Sequence, residues 1–406
     1  MRSERTTQRT SGLSTDHTTR RANRRTKITP VSRPLLSLYA TATMVLIIVN
    51  ILALGGESSY ARGLLGMAQP TSIIVAPKPD SNSDLVLPPQ PQGSPTPSPT
   101  PKPTTIQANA GTSPLIFGTN LGLFNSGDQF ISSTETQNLM QQMHIKIVRV
   151  PTRQSNSDAV NLAAAQAIKK IGAVAIVSLR GAQNPSVTQV MTDNTRMINV
   201  MNQVFGNSTV YYEFGNEDDL NGVNVTEYTD RWNALVPQLK KLALNGVFIG
   251  PVNYQYSPNY LTTFLKNANP RPDAVSWHEY TCSYKWDAAR CMSGIDNWTK
   301  HINGVRQVMQ TTLGTELPMM ITEWNYAPDQ LIQSNGMGFA DGKLTNQTFM
   351  SQWTSKALQT LIDNHIFASM QYSATNTAIP MVSSGNTITQ QGAIFQSTYE
   401  QAIGNS

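Results

Sequence analysis

The chain has 406 residues, of which 39% are hydrophobic, enough for a sizeable core. Its charged share is 14%, well below the ~25% of ordinary soluble proteins, which excludes a charge-rich disordered scaffold. The net charge of +5 suggests a nucleic-acid binder only if the positive charge is spread along the chain. It is not. Residues 1–33 carry nine basic side chains (Arg2, Arg5, Arg9, Arg20, Arg21, Arg24, Arg25, Lys27, Arg33) against Glu4 and Asp16, so 9 − 2 = +7, and the other residues sum to 5 − 7 = −2. A near-neutral body behind a basic tail argues against nucleic acid as a partner.

Residues 34–56 are uncharged and centre on Met44, Val45, Leu46, Ile47, Ile48 and Val49. About 20 such residues span a bilayer as a helix, and an Arg-rich flank stays in the cytoplasm. The expectation is a single-pass anchor with 1–33 as cytoplasmic tail and the rest outside the cell. A cleaved secretory signal has the same charge-then-apolar order and would give a secreted protein. Residues 57–110 follow; from Pro70 to Pro103 eleven of 34 residues are proline, a composition that favours extended polyproline II and reads as a semi-rigid spacer.

Residues 111–406 alternate short apolar runs with amphipathic stretches. The runs lie at 115–120, 145–150, 173–179, 210–216, 247–252, 274–278, 319–323 and 367–372, each of the kind that is buried on both faces of a parallel sheet. Between them come helical signals. Ser132-x-x-Glu135 reads as a capping box, 159–170 is alanine-rich, and Tyr228, Trp232, Leu235 and Leu239 keep helical spacing. Eight strands each followed by a helix predict a (β/α)8 TIM barrel. The alternative, a doubly wound sheet, lacks its Gly-rich phosphate turn, since Gly118 and Gly122 form only GxxxG.

In such a barrel the chemistry sits at the C-terminal ends of the strands. Strand 2 ends at Arg149. Strand 4 ends in Asn216-Glu217-Asp218-Asp219, strand 6 in His278-Glu279-Tyr280, strand 7 in Glu323-Trp324-Asn325 and strand 8 in Gln371-Tyr372. Two carboxylates on different strands, amid aromatics and amides, suit glycoside hydrolysis, in which one protonates the departing oxygen and the other attacks the sugar or activates water. Glu213, inside strand 4, is expected to be the buried partner of a basic group, and Glu279 to alternate away from His278 and Tyr280. Trp324, Tyr326, Trp277, Tyr254 and Phe124 are candidates for stacking on sugar or for plain packing.

The Asn216-Glu217 pair closing strand 4 and Glu323 closing strand 7 resemble the signature of clan A retaining glycoside hydrolases. The resemblance covers 111–406 and implies that Glu217 is the acid/base and Glu323 the nucleophile. It also implies that Asn216 contacts the sugar 2-hydroxyl, that Arg149 steadies the nucleophile, and that His278 and Tyr280 form the strand 6 pair whose tyrosine touches the nucleophile. Where the clan often ends strand 8 with tryptophan, this chain has Gln371 and Tyr372, so those residues and Trp324 are expected at the sugar. The branch within the clan is open.

Cys282 and Cys291 fall in the loop after strand 6 and are expected to pair if the domain lies outside the cell. Five scattered histidines give no metal-ligand spacing. The reading is a monomeric, cofactor-free and metal-free glycosidase acting on an oligo- or polysaccharide. A carbohydrate-binding or cell-surface barrel without turnover is the rival.

Overall fold

The computed structural model describes residues 111–283, 286–326, 343 and 346–404. The basic tail, the apolar segment 34–56 and the Pro-rich stretch 57–110 lie outside the described residues. Among the described residues no helix is long and apolar enough to cross a membrane.

The eight apolar runs form eight parallel strands: β1 Gly118–Asn120, β2 Ile147–Pro151, β3 Val174–Leu179, β4 Val210–Phe214, β5 Gly246–Asn253, β6 Ala274–Glu279, β7 Met319–Trp324 and β8 Ala368–Gln371. They pair in sequence order and close, β8 against β1, into one barrel. Closure excludes the doubly wound alternative. Eight main helices follow the strands in turn: α1 Thr134–Gln142, α2 Asp158–Lys170, α3 Val187–Phe205, α4 Val225–Leu242, α5 Pro258–Asn267, α6 Asp296–Leu313, α7 Gln347–Asp363 and α8 Gln390–Ala402.

Strand alternation divides the core in two. Ile147, Ile176, Tyr211, Ile249, Met320 and Met370 fill the barrel interior. Their neighbours in sequence, such as Val148, Val177, Tyr212 and Ile321, face the helices and join the larger outer core. Most helix starts follow the capping signals. Asn224 accepts from the Glu227 amide at the head of α4, and Ser157 from the Val160 amide at the head of α2. The α1 cap differs by one residue. Ser133, not Ser132, accepts from the Thr136 amide, because a short helix at Gln129–Ser132 runs up to the cap.

The loop after β6 is closed by a disulfide between Cys282 and Cys291, the pairing expected from the sequence.

Candidate active site

Four strand ends meet around one arginine. Arg149, on β2, is only 4% exposed. Its Nε donates to Glu213 of β4 at 2.6 Å, Nη1 to Glu323 of β7 at 2.5 Å, and Nη2 to Asn216, just past β4, at 2.7 Å. Nη1 also reaches Asn120 Oδ1 of β1 at 3.1 Å. Glu213 is therefore the buried partner of a cation that its place inside a strand suggests. Asn120 is a site residue that the sequence motifs do not mark. Its Nδ2 donates to the Thr322 carbonyl at 3.0 Å, so it ties β1 to β7 directly beside Glu323. Its position as the last residue of β1 is the signal that could have found it.

Glu323 has both oxygens engaged: Oε1 accepts from Arg149, and Oε2 accepts from the Tyr280 hydroxyl at 2.8 Å. Glu217 lies 2.8 Å from His278 Nδ1, and that nitrogen is 3.8 Å from Glu323 Oε2. One donor atom each of Glu217, His278 and Glu323 falls within 4.8 Å of the other two. Such a trio is also a possible cation site, one that the residue spacing conceals. With both Glu323 oxygens already taken, and the Arg149 charge at one of them, a second cation there would be repelled.

Two local devices aim these groups. The first is in β7. Met320 faces the barrel interior and Ile321 the helices, so strict alternation would turn Trp324 inward. A register shift between Ile321 and Trp324 inserts an extra residue. On the β6 side, His278 pairs with Glu323 where Trp277 pairs with Ile321. This bulge resets the parity, so Glu323 meets Arg149 and Trp324 faces outward. The second device is at Glu217, whose φ of 50° is sparsely populated for a non-glycine residue. Its amide donates to the Val252 carbonyl at 3.0 Å. The next two side chains brace the turn from either side: Asp218 accepts from the Ala182 amide at 2.7 Å, and Asp219 accepts from the Tyr254 amide at 3.0 Å. Asp218 is 1% exposed, and burial pushes its carboxyl up to about 7.

The two glutamates are driven apart in acidity. Burial raises Glu217; His278 partly opposes this, and the Glu323 charge adds to the rise. Burial also works against a charge on Glu323, but His278, Arg149 and the Tyr280 hydrogen bond outweigh it and hold the carboxyl below its ordinary 4.5. For His278, burial favours the neutral ring, yet Glu323 and Glu217 prevail and raise it.

The form with Glu323 ionised and Glu217 protonated therefore exists in a window around and above pH 4.5. Tyr280→Phe removes one donor to the ionised form of Glu323 and so raises that pKa. The folded-state pKa of Glu323 is depressed, so its contribution to stability is present above the unfolded pKa and lost as pH falls through the folded one. In Tyr280→Phe that loss starts at a higher pH. For the double displacement proposed below, the expected result is an acid limb of the pH–rate profile displaced upward while the alkaline limb, which that mechanism assigns to Glu217, stays in place. Unchanged limbs in both would contradict these hydrogen-bond roles.

Three residues expected at the sugar divide differently. Trp324 is fully buried between barrel and helices, stacked on Phe395 with ring centroids 5.7 Å apart and packed against Trp298 and Trp353. It does not reach the mouth, because the β7 bulge gives the inward position to Glu323. Gln371 is also fully buried and on the helix side: its Nε2 donates to Gln391 of α8 at 2.6 Å and its Oε1 accepts from Thr119 at 3.1 Å. Tyr372 is half-buried near the carboxylates, where burial first and then the Glu323 charge push its hydroxyl up to about 12. Glu279 turns away from the site as alternation predicts and accepts from Trp277 Nε1 at 2.8 Å, with His301 Nδ1 3.0 Å away.

Neither a protein-family model nor a curated protein matches the sequence. Solved structures do. One is the GH51 arabinofuranosidase from Xanthomonas axonopodis pv. citri, with a TM-score of 0.51 and 13% identity over 71% of this chain and 73% of that one. A 4-O-α-L-rhamnosyl-β-D-glucuronidase from Fusarium oxysporum aligns with a TM-score of 0.53 and 13% identity over 71% of this chain and 69% of that one. A glucosidase from Croceicoccus marinus gives 0.50 and 13% over 71% of this chain, which spans 66% of the glucosidase's length. At such identities the likeness is one of fold: this chain has the barrel on which those glycosidases are built.

Proposed function

We propose that the protein is a retaining glycoside hydrolase. Glu217 is the acid/base and Glu323 the nucleophile. The observation that carries this reading is the pair itself: oxygens of the two carboxyl groups within 4.8 Å of each other, one acid raised and the other lowered. That spacing fits the ~5–5.5 Å of retaining enzymes better than the ~6.5–9.5 Å that leaves room for a water in inverting ones.

Glu323 Oε attacks the anomeric carbon as its bond to the glycosidic oxygen breaks, and Glu217 gives its proton to that oxygen. The glycosyl ester removes the negative charge of Glu323, which lowers the pKa of Glu217. Glu217, now a carboxylate, takes a proton from water whose oxygen bonds to the anomeric carbon. Glu323 departs as carboxylate, and the configuration is retained after two displacements. Arg149 and Tyr280 stabilise the charge on Glu323 before and after this cycle. Asn216, fixed by Arg149, is placed to meet a hydroxyl of the sugar.

The substrate class is an oligo- or polysaccharide. Residues 34–56 would anchor the enzyme with the barrel outside the cell, where a Cys282–Cys291 disulfide persists. The test is hydrolysis of a panel of aryl glycosides by the full chain, with the anomer of the first-formed product read by NMR. Retention is expected. An inverted product overturns the double displacement, and a folded protein that binds glycans without turnover favours the carbohydrate-binding rival.

A further inference from the structure

Of the five aromatics that could stack on sugar, Trp324 and Tyr326 are fully buried and Trp277 nearly so, all three in the outer core. Tyr254 stacks on Tyr280, centroids 5.9 Å apart and planes 21° from parallel. Phe124, in the loop after β1, is different: it is 51% exposed.

The exposure is built in. Leu123 has φ 45°, a conformation costly for leucine, and is fully buried, so the chain turns Leu123 in and Phe124 out. The strained residue is held from two sides. Its amide donates to the buried Asp128 carboxylate at 3.2 Å, and its carbonyl accepts from Asn156 Nδ2 at 3.1 Å. The Phe124 ring is also fixed. The Arg153 guanidinium lies 4.3 Å from its centroid, and Arg153 Nε donates to the Gly122 carbonyl at 3.0 Å. A Cβ on residue 122 would stand 2.8 Å from a ring carbon, so glycine is what lets the ring lie against the loop. The ring rests against Arg153 and Gly122 yet stays half open to solvent in the loop at the strand ends.

The loop adjoins the catalytic groups. The Leu121 amide donates to the Arg149 carbonyl at 2.8 Å, and the charge of Arg153 acts on Tyr372, which also feels Glu323. Phe124, four residues past the end of β1, thus belongs to the loop that leaves β1 at the C-terminal end of the strands.

We propose that Phe124 is the stacking platform of a second sugar-binding subsite on the loop after β1, so that the substrate is a glycan chain extending beyond the sugar held between Glu217 and Glu323. The partner face is the apolar C–H face of a pyranose or furanose ring, which an immobilised aromatic ring binds at little conformational cost. The proposal rests on the glycoside hydrolase reading for the identity of the ligand.

The experiment is affinity electrophoresis of the full chain in native gels cast with soluble xylan, arabinan, laminarin, hydroxyethyl cellulose or polygalacturonate. Wild type, Phe124→Ala and Phe124→Trp are run side by side, with thermal unfolding as the check that each is folded. At least one polysaccharide is expected to retard the wild type. Phe124→Ala should weaken that binding roughly five- to tenfold, and Phe124→Trp should restore it. Equal retardation of wild type and Phe124→Ala overturns the subsite, as does a wild type that no polysaccharide retards. Retardation that depends on Phe124 without hydrolysis of any glycoside keeps the subsite and sinks the hydrolase reading. Aryl glycoside hydrolysis with retardation independent of Phe124 does the reverse.

Discussion

Glu323→Gly should lower glycoside hydrolysis on the order of 10⁴-fold or more, and sodium azide should restore turnover while changing the product. Removing the carboxylate takes away the nucleophile but leaves its surroundings. Arg149 Nη1 and the Tyr280 hydroxyl, at 2.5 and 2.8 Å from the lost oxygens, still present two donors to a small anion. Azide bound there attacks from the face that Glu323 used. With no second displacement, the product is a glycosyl azide of inverted configuration. Glu217→Gly is expected to respond differently. The nucleophile remains, the ester forms from substrates whose leaving group needs no protonation, and azide then displaces Glu323 to give a product of retained configuration. The anomer of each azide adduct, read by NMR, separates the two roles. Activity of Glu323→Gly within tenfold of wild type, or the same anomer from both variants, would sink the assignment.

The barrel is legible in the sequence because parallel strands buried on both faces read as unbroken apolar runs, and each of the eight runs coincides with a strand. The strand-end rule likewise locates Arg149, Glu217, His278, Tyr280 and Glu323, which the fold brings together. Parity is not legible. In β7 the inward or outward sense of Glu323 and Trp324 depends on an extra residue between Ile321 and Trp324, and a bulge has no reliable signature in one sequence. Trp324 therefore reads as a sugar contact when it is a core residue. Gln371 misleads for a related reason: it is the last residue of β8, but its side chain belongs to a network with Gln391 of α8, 20 residues further on. Asn120 is hidden because it closes a strand of only three residues and, unlike the carboxylates that end β4 and β7, carries no residue type that marks chemistry, although the run 115–120 ends on it. The Glu213–Arg149 pair is legible in kind, since a carboxylate inside a buried strand must find a cation or stay protonated.

Arg149→Ala is expected to destabilise the barrel by about 3–5 kcal/mol at neutral pH, besides abolishing activity. The reason is not the cavity alone. Arg149 is the cation shared by Glu213, which is fully buried, and Glu323, 8% exposed. Without it Glu213 stays in the barrel interior with no cation, Glu323 keeps only His278 and the Tyr280 hydrogen bond, and Asn120 and Asn216 lose the group that orients them. If charge is the cause, two consequences follow. The loss should shrink as pH falls toward 4, because Glu323, no longer held down by Arg149, then takes up a proton, whereas a cavity costs the same at every pH. And Arg149→Met combined with Glu213→Gln, which removes one cation together with one anion at nearly constant volume, should recover much of the stability without recovering activity. Urea unfolding of the wild type, Arg149→Ala and the double variant between pH 4 and pH 8 measures both effects. A loss independent of pH and unrelieved by Glu213→Gln would mean that Arg149 holds the strands by packing, and its proposed electrostatic role toward Glu323 would need another source.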